Sequence, residues 1–163
     1  MFESMNTRIA LSGLVPVVKT DDPVKAVKLA HALQRGGLSA VEFTFRTDKG
    51  TEGLEQIASC IRAVRENCPD ILAGAGTVIN QTLAQKAADA GAQFIMSPGF
   101  SNEIVDYCIS ESLPVYPGVN TAGEIETALL KGLAVLKFFP AEASGGLQTI
   151  KALSVPFPPV TSS

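Results

Sequence analysis

Residues 40–45 read Ala-Val-Glu-Phe-Thr-Phe, a short apolar run of strand-forming residues with polar side chains at alternate positions. Ahead of it, Asp22-Pro23 is typical of a helix start, and Gly36-Gly37 of a helix end. Behind it, a second helix is expected to open at Thr51 and to end near Cys68. A strand between two helices is one unit of a βα repeat, in which parallel strands are joined by helical crossovers.

The same alternation continues along the whole chain. Further helices are expected over residues 80–90, 101–112 and 121–131. The apolar runs, counting the one at residues 40–45, predict six strands. They cover residues 14–18, 40–45, 71–77, 94–97, 114–119 and 135–139. This pattern favours an α/β fold of the TIM (β/α)8-barrel type with only about six βα units present, and with its active site at the carboxyl ends of the strands. A doubly wound open sheet is the competing architecture.

Composition and charge narrow the class of protein. A chain of 163 residues with 46% hydrophobic content is expected to form one globular domain over residues 1–163. The formal net charge is -3 and the basic residues are scattered, so we expect neither nucleic acid nor an anionic membrane as a partner. Without a leader-like start or an apolar run of membrane-spanning length, the expected location is cytoplasmic.

The cysteines and the one histidine give little support to metal or triad chemistry. Cys60, Cys68 and Cys108 are an odd set without a Cys-x-x-Cys pair, and we interpret them as reduced thiols, packed or at the surface. His31 lies in a helix-like segment, so a triad, a two-histidine metal site or a His–Cys pair is not expected. The Gly74-x-Gly76 pair lacks the third glycine of a dinucleotide fingerprint. No metal and no cofactor are predicted.

Strand periodicity predicts which polar groups meet. Side chains alternate between the two faces of a strand, so Glu42, Thr44 and Arg46 are expected to point into the barrel while Val41, Phe43 and Phe45 face the helices. By the same rule Lys137 joins the inner set with Val135 and Phe139, while Leu136 and Phe138 face the helix layer. Thr77 ends the third strand. A desolvated lysine that is partly neutral is a nucleophile for carbonyl carbons.

These groups together are an amine nucleophile, a carboxylate for proton transfer, and a guanidinium with a hydroxyl that can hold an anion. They suit condensation of an α-keto acid with Lys137, followed by proton transfer beside the carbonyl. The alternative interpretations are a lysine on a strand edge and a buried ion pair of Glu42 with Arg46 or Lys137 that only fills the barrel.

Five motifs carry a resemblance to a known family. The chain is similar to 2-keto-3-deoxy-6-phosphogluconate (KDPG) aldolases, also called 4-hydroxy-2-oxoglutarate (KHG) aldolases, from about Leu14 to Phe157. The motifs are Val-Glu-Phe-Thr-Phe-Arg-Thr (41–47), Gly-Ala-Gly-Thr-Val (74–78), Ser-Pro-Gly (97–99), Tyr-Pro-Gly-Val (116–119) and Lys-Phe-Phe-Pro-Ala-Glu (137–142). The resemblance implies a metal-free class I aldolase with a (β/α)8 barrel, usually a homotrimer, that releases pyruvate and an aldehyde, either glyceraldehyde 3-phosphate or glyoxylate.

The resemblance also implies a role for each site residue. Lys137 is the Schiff-base lysine, and Glu42 is the general acid/base during carbinolamine formation and carbon–carbon cleavage. The implied substrate-binding residues are Arg46 and Thr77, which hold the pyruvate carboxylate, and Pro98 and Phe139, which line the pocket.

The C-terminal region departs from the family pattern. Family members continue past the segment 157–160 with a seventh and an eighth strand whose loops bind the substrate phosphate, so the resemblance implies a C-terminally truncated barrel. Open first and sixth strands would then expose backbone and apolar surface. The alternatives are a catalytically impaired barrel with only a structural or binding role, a 2-keto-3-deoxy-6-phosphogalactonate aldolase, and another phosphate-binding barrel such as an epimerase or decarboxylase.

Overall fold

The structure is a computed structural model that describes residues 1–157, so the expected departure after residue 157 lies outside the described residues. Strands and helices alternate throughout. The elements are α1 (Glu3–Ser12), β1 (Val17–Val18), α2 (Pro23–Arg35), β2 (Ala40–Thr44), α3 (Gly50–Asn67), β3 (Leu72–Gly76), α4 (Gln81–Asp89), β4 (Ile95–Ser97), α5 (Asn102–Ser110), β5 (Val115–Val119), α6 (Ala122–Leu130), β6 (Lys137–Phe138), a 3-10 turn (Glu142–Ser144) and α7 (Gly146–Ser154).

All strand pairs are parallel, and the strands lie side by side in chain order from β1 to β6. A doubly wound sheet reverses its strand order at a switch point, whereas a barrel keeps it sequential. The sequential order therefore confirms the barrel-type prediction over the open sheet. All six predicted strands are present, but they are shorter than predicted, and Phe45, Thr77 and Phe139 lie just beyond the ends of β2, β3 and β6.

The predicted helices are also present, and side-chain caps fix where several of them begin. The carboxylate of Asp22 accepts hydrogen bonds from the N–H groups of Val24 and Lys25, at 2.9 and 3.1 Å, which satisfies free donors at the start of α2. Thr121 and Glu124 form a capping box at the start of α6. Helix α1 has no counterpart in the sequence prediction.

Two groups of buried side chains lie on the two faces of the sheet. The outer face, which includes Val41, Phe43 and Ile95, packs against the helices. The inner face carries a smaller cluster of Ala40, Leu72, Phe94 and Tyr116. The predicted alternation of Val41 and Phe43 towards the helices, with Glu42 inward, is thus confirmed.

Helix α1 covers the inner cluster. Met5 and Ile9 pack against it, and the hydroxyl of Tyr116 donates a hydrogen bond to Asn6 Oδ1 at 3.0 Å. The ring of Tyr116 meets that of Phe94 edge to face, at 6.2 Å between centroids. This helix therefore closes the side of the barrel interior on which the inner cluster lies.

The outermost strands carry exposed apolar side chains. Within the described residues β1 pairs only with β2, and β6 only with β5. Val17 on β1 is 62% exposed, and Val135, two residues before β6, is 40% exposed. In residues 1–157 no helix combines the length and the apolar character that crossing a bilayer requires.

Candidate active site

Lys137 and Glu42 line one cavity of about 280 Å³. Glu42 points inward from β2 and is only 2% exposed, and Lys137 is half-buried on β6. The rest of the lining is mostly apolar, with Ile9, Val15, Val17, Met96, Tyr116, Val135 and Leu136. The structure therefore brings together the amine and the carboxylate that strand periodicity placed on the inner face, although they lie on strands that are not neighbours.

The environment of Glu42 favours the protonated acid. Burial raises the pKa of this carboxyl group above its ordinary value, and the nearby positive charge of Lys137 opposes that rise. Because burial is the larger effect, the carboxyl group can hold a proton at a higher pH than an exposed glutamate does. A carboxyl group with a raised pKa is suited to donating and then accepting a proton during a reaction.

Gly76 makes room for the carboxylate. A Cβ atom at this position would lie 1.5 Å from Glu42 Oε1 and 2.2 Å from its Cδ, closer than any side chain tolerates. Gly74, which is in register with Glu42, plays the same part for Phe94, since a Cβ there would lie 2.1 Å from the ring. The small residues of β3 thus create the space into which the inner side chains of β2 and β4 extend.

Phe139 borders the lysine, and Pro98 packs on the neighbouring strand β5. The Lys137 Nζ atom lies 5.0 Å from the centre of the Phe139 ring, within the range of a cation–π contact. Lys137 is in register with Gly118, and a Cβ on that glycine would lie 2.2 Å from the Pro98 carbonyl oxygen. The loop after β4 therefore packs directly on β5 beside the lysine.

Arg46 and Thr77 stand apart from this cavity. Because β2 ends at Thr44, strand alternation no longer applies at Arg46, which is exposed and lines a second cavity of about 260 Å³ with Lys19, Thr20 and Asp21. The expectation that strand alternation carries Arg46 into the cavity beside Glu42 is therefore wrong, while its role in binding a carboxylate stays a prediction. Thr77 follows β3 with a φ of 56°, a left-handed backbone that is unusual for threonine.

Sequence reasoning did not assign a site position to Tyr116 or Leu136. Tyr116 lines the cavity. Strand alternation could have predicted this, because Tyr116 and Gly118 are two residues apart on β5 and so share its inner face. Leu136 was assigned to the helix layer, but it borders both the cavity and a groove on the helix side, because β6 is only two residues long.

The cysteines are buried and unpaired in the described part of the chain. Burial raises the pKa of Cys60 and of Cys108 to about 12, so neither is a thiolate near neutral pH. Cys68 Sγ lies 3.6 Å from His31 Nε2. This contact between a histidine and a cysteine was not predicted from the sequence. Burial also raises the pKa of Cys68, and this pair lies between α2 and the end of α3, outside the cavity.

Among residues 1–157 no group of three or more His, Cys, Asp or Glu side chains is placed to hold a metal ion. The chemistry that the cavity itself offers is that of an amine and a carboxylate in a largely apolar setting. Such a pair can form an imine with a carbonyl compound and move protons around it.

Comparison with known proteins identifies relatives of the chain. The family model described as KDPG and KHG aldolase matches residues 5–162. A 2-dehydro-3-deoxy-phosphogluconate aldolase of Treponema pallidum (strain Nichols) is 44% identical over 144 residues, which cover 88% of this chain and 65% of the relative. The chain thus spans a little less than two thirds of the length of this curated relative.

Two solved structures extend the comparison. The 2-keto-3-deoxy-6-phosphogluconate aldolase of Zymomonas mobilis ZM4, solved with 3-phosphoglycerate, has a TM-score of 0.87 and 31% identity, covering 98% of this chain and 72% of that one. A KDPG aldolase from Legionella pneumophila has a TM-score of 0.84 and 34% identity, covering 94% of this chain and 71% of that one. In that structure pyruvate was captured at low pH as a covalent carbinolamine intermediate.

Proposed function

This chain belongs to the KDPG and KHG aldolase family, and we propose that it is a lyase, a class I aldolase that works through a Schiff base. Its proposed substrates are 2-keto-3-deoxy-6-phosphogluconate and 4-hydroxy-2-oxoglutarate, which it cleaves to pyruvate and glyceraldehyde 3-phosphate or glyoxylate. The observation that carries the proposal is that Lys137 and Glu42 line one largely apolar cavity inside the barrel.

In the proposed reaction, Lys137 Nζ attacks the ketone carbon of the substrate and forms a carbinolamine. Loss of water then gives a protonated imine. When the bond between the third and fourth carbons breaks, its electron pair moves into this imine and forms an enamine, while the fourth carbon leaves as the aldehyde. Protonation of the enamine and hydrolysis return pyruvate and the free amine.

Glu42 is the proposed proton carrier in these steps. Its buried carboxyl group, with its raised pKa, can protonate the carbinolamine hydroxyl as water leaves and can take the proton from the hydroxyl on the fourth carbon during cleavage. A positioned acid/base of this kind contributes roughly 10²- to 10⁴-fold to a rate.

The remaining roles belong to residues around the carboxyl ends of the strands. We assign Arg46 and Thr77 to the pyruvate carboxylate, since they follow the neighbouring strands β2 and β3 where barrel enzymes bind their substrates. Pro98 and Phe139 are the proposed walls of the pocket, since Phe139 lies against Lys137 and Pro98 packs on Gly118, the residue in register with Lys137. The chemistry proposed for these residues needs no cofactor.

In the Legionella relative, pyruvate was captured as a covalent carbinolamine. This supports our proposal that the present chain also reacts covalently with pyruvate. The names of the relatives favour an active aldolase over a barrel with only a structural or binding role. We further propose that residues 1–163 form a single barrel domain. Its location is proposed to be the cytoplasm, where the three unpaired cysteines stay reduced.

A homotrimer is the proposed assembly, as the family resemblance implies. Apolar side chains on the helix layer, such as Leu130 at 84% exposure, offer surface for contacts between copies. Light scattering after size-exclusion chromatography tests this assembly. A monomer at micromolar concentration would contradict it.

Reduction of the imine tests the proposed activity. The protein is incubated with pyruvate and borohydride, digested, and analysed by mass spectrometry for an adduct on Lys137. Lys137→Met should form no adduct, whereas Lys131→Met, which removes a lysine paired with Asp106 on the helix layer, should form as much as the unmodified chain.

Cleavage is then measured as pyruvate release from each proposed substrate. The expected result is an adduct on Lys137 together with release of pyruvate. A chain that forms no adduct contradicts Schiff-base chemistry, and an adduct without cleavage contradicts the aldolase assignment.

A further inference from the structure

Asn120 connects the end of β5 to the segment that follows β6. Its side-chain amide donates hydrogen bonds to the carbonyl oxygen of Phe139, at 3.4 Å, and to the hydroxyl of Ser144. The segment 139–144 carries the ring that lies against Lys137 Nζ. A single side chain on one strand thus holds both ends of the turn that borders the lysine.

Asn120 is itself held firmly. Its backbone N–H donates to Glu124 Oε2 at 2.8 Å, and the same carboxylate accepts from the N–H of Thr121 at 3.0 Å. These bonds belong to the capping box that starts α6. The side chain of Asn120 therefore extends from a fixed point where β5 ends and α6 begins.

The strand that carries Lys137 needs such an anchor. β6 has only two residues, and its register with β5 rests on Gly118 with Lys137 and Val119 with Phe138. Beyond the strand, Phe139 makes one further backbone hydrogen bond, from its N–H to the Val119 carbonyl oxygen at 3.2 Å. A two-residue strand with a half-exposed aromatic ring just after it is thus held to β5 by few backbone hydrogen bonds.

We propose that Asn120 is a positioning residue that holds segment 139–144 on the end of β5 and so keeps the Phe139 ring beside the Lys137 amine. This inference rests on the proposed function, because the ring matters through the reactivity of Lys137. Asn120 touches neither Lys137 nor the reacting atoms. It acts through the segment that Phe139 belongs to.

Replacement of Asn120 tests the proposal in the full chain. Asn120→Ala is expected to slow adduct formation with saturating pyruvate by about threefold to tenfold, the effect of losing one or two modest hydrogen bonds. The pyruvate concentration that gives half the maximal rate should change less, because the carboxylate is assigned to other residues. Asn120→Asp should be nearly as slow, because a carboxylate cannot donate to the Phe139 carbonyl.

Three further variants separate positioning from general stability. Ser144→Ala removes only one of the two bonds and should give a smaller effect, and the double variant should be no slower than Asn120→Ala, since both act through one segment. Asn67→Ala is the matched control. Its amide also bonds a backbone carbonyl, that of Ala63 at 2.8 Å, but at the end of α3. It should leave the rate of adduct formation unchanged, because α3 lies outside segment 139–144.

Hydrogen exchange provides a second measurement that does not depend on catalysis. In the unmodified chain the N–H of Ser144 bonds the Pro140 carbonyl and that of Gly146 bonds the Ala141 carbonyl. Asn120→Ala should speed exchange of these two amides by about threefold to tenfold, with the β3 amides unchanged.

The outcomes distinguish the two proposals. If the unmodified chain forms no adduct, the proposed function fails, and hydrogen exchange alone decides whether Asn120 holds the segment. If the unmodified chain forms the adduct and Asn120→Ala forms it equally fast, or exchange in 139–146 is unchanged, the positioning role is overturned. Should Asn120→Ala fail to fold, Ser144→Ala carries the same comparison against Asn67→Ala.

Discussion

Replacement of Gly76 by alanine should displace the Glu42 carboxylate and so slow the reaction, although Glu42 itself is unchanged. The Cβ of an alanine there would lie 1.5 Å from Glu42 Oε1, 2.2 Å from Cδ and 2.6 Å from Cγ, where ordinary contact begins at 3.4 Å. The backbone at Gly76 does not have a positive φ, so alanine itself is tolerated there. The whole effect of Gly76→Ala therefore falls on the position of the carboxylate.

The size of the effect follows from this overlap. The carboxylate must move by roughly 2 Å, and overpacking of this kind costs about 1–3 kcal/mol of unfolding free energy. Glu42 is 2% exposed, so its carboxylate can move only within the cavity and away from its present position. Because a misplaced acid/base loses its contribution, cleavage should slow by roughly 10²- to 10⁴-fold.

The assay compares Gly76→Ala with Glu42→Gln and with Gly123→Ala. Rates of pyruvate release are measured at equal folded concentration, which near-ultraviolet circular dichroism establishes. Gly123 lies in α6 with nothing within 4 Å of the added Cβ, so alanine there should leave activity unchanged and raise stability by about 0.5–1 kcal/mol. Cleavage by Gly76→Ala at the rate of the unmodified chain would refute the placement of Glu42 and its proposed role together.

Three further predictions follow from the burial of titratable and polar groups. Burial raises the folded pKa of Glu42 above its ordinary 4.5, so the folded chain binds this proton more tightly and loses stability as pH rises from about 4.5 through the folded pKa. The melting temperature of Glu42→Gln should therefore gain on that of the unmodified chain across this pH range. Parallel curves of melting temperature against pH would contradict this prediction. Burial keeps the pKa of Cys60 and of Cys108 at about 12. Both thiols should therefore resist a thiol reagent at pH 8 in the native protein and react once the protein is unfolded in guanidinium. Rapid labelling of the native protein would contradict their burial. Tyr116→Phe should lower the free energy of unfolding by about 0.5–1.5 kcal/mol in a denaturant titration and speed hydrogen exchange in α1, because the hydrogen bond to Asn6 is lost. Tyr107→Phe, on α5, is the control. Equal losses of stability in both variants would argue against the bond between Tyr116 and Asn6.

Much of the fold was predictable because its signals are local. The strands are apolar runs of strand-forming residues, and the helices start at side chains such as Asp22 and Thr121 that cap their free N–H groups. Helix α1 was not predictable in this way. Its apolar residues are few, and Met5 and Ile9 are partly buried only because the inner cluster lies beneath them.

The candidate site was predictable only as far as strand geometry reaches. Alternation along a strand placed Glu42 and Lys137 on the inner face, and both line the cavity. It failed at Arg46, because β2 ends two residues earlier and the chain then turns outward. The role of Asn120 could not be predicted at all, since its partners Phe139 and Ser144 come to it through the pairing of β5 with β6.

The amino-acid sequence by itself determined the order of strands and helices and the face of the sheet on which each strand residue lies, because both depend on neighbours along the chain. Tertiary structure alone decided that Gly76 leaves space for the Glu42 carboxylate, that Lys137 and Glu42 line one cavity, and that Asn120 bonds the segment 139–144. Those features depend on distances between strands that are far apart in sequence. They are set by how the sheet curves and packs, which no local pattern specifies.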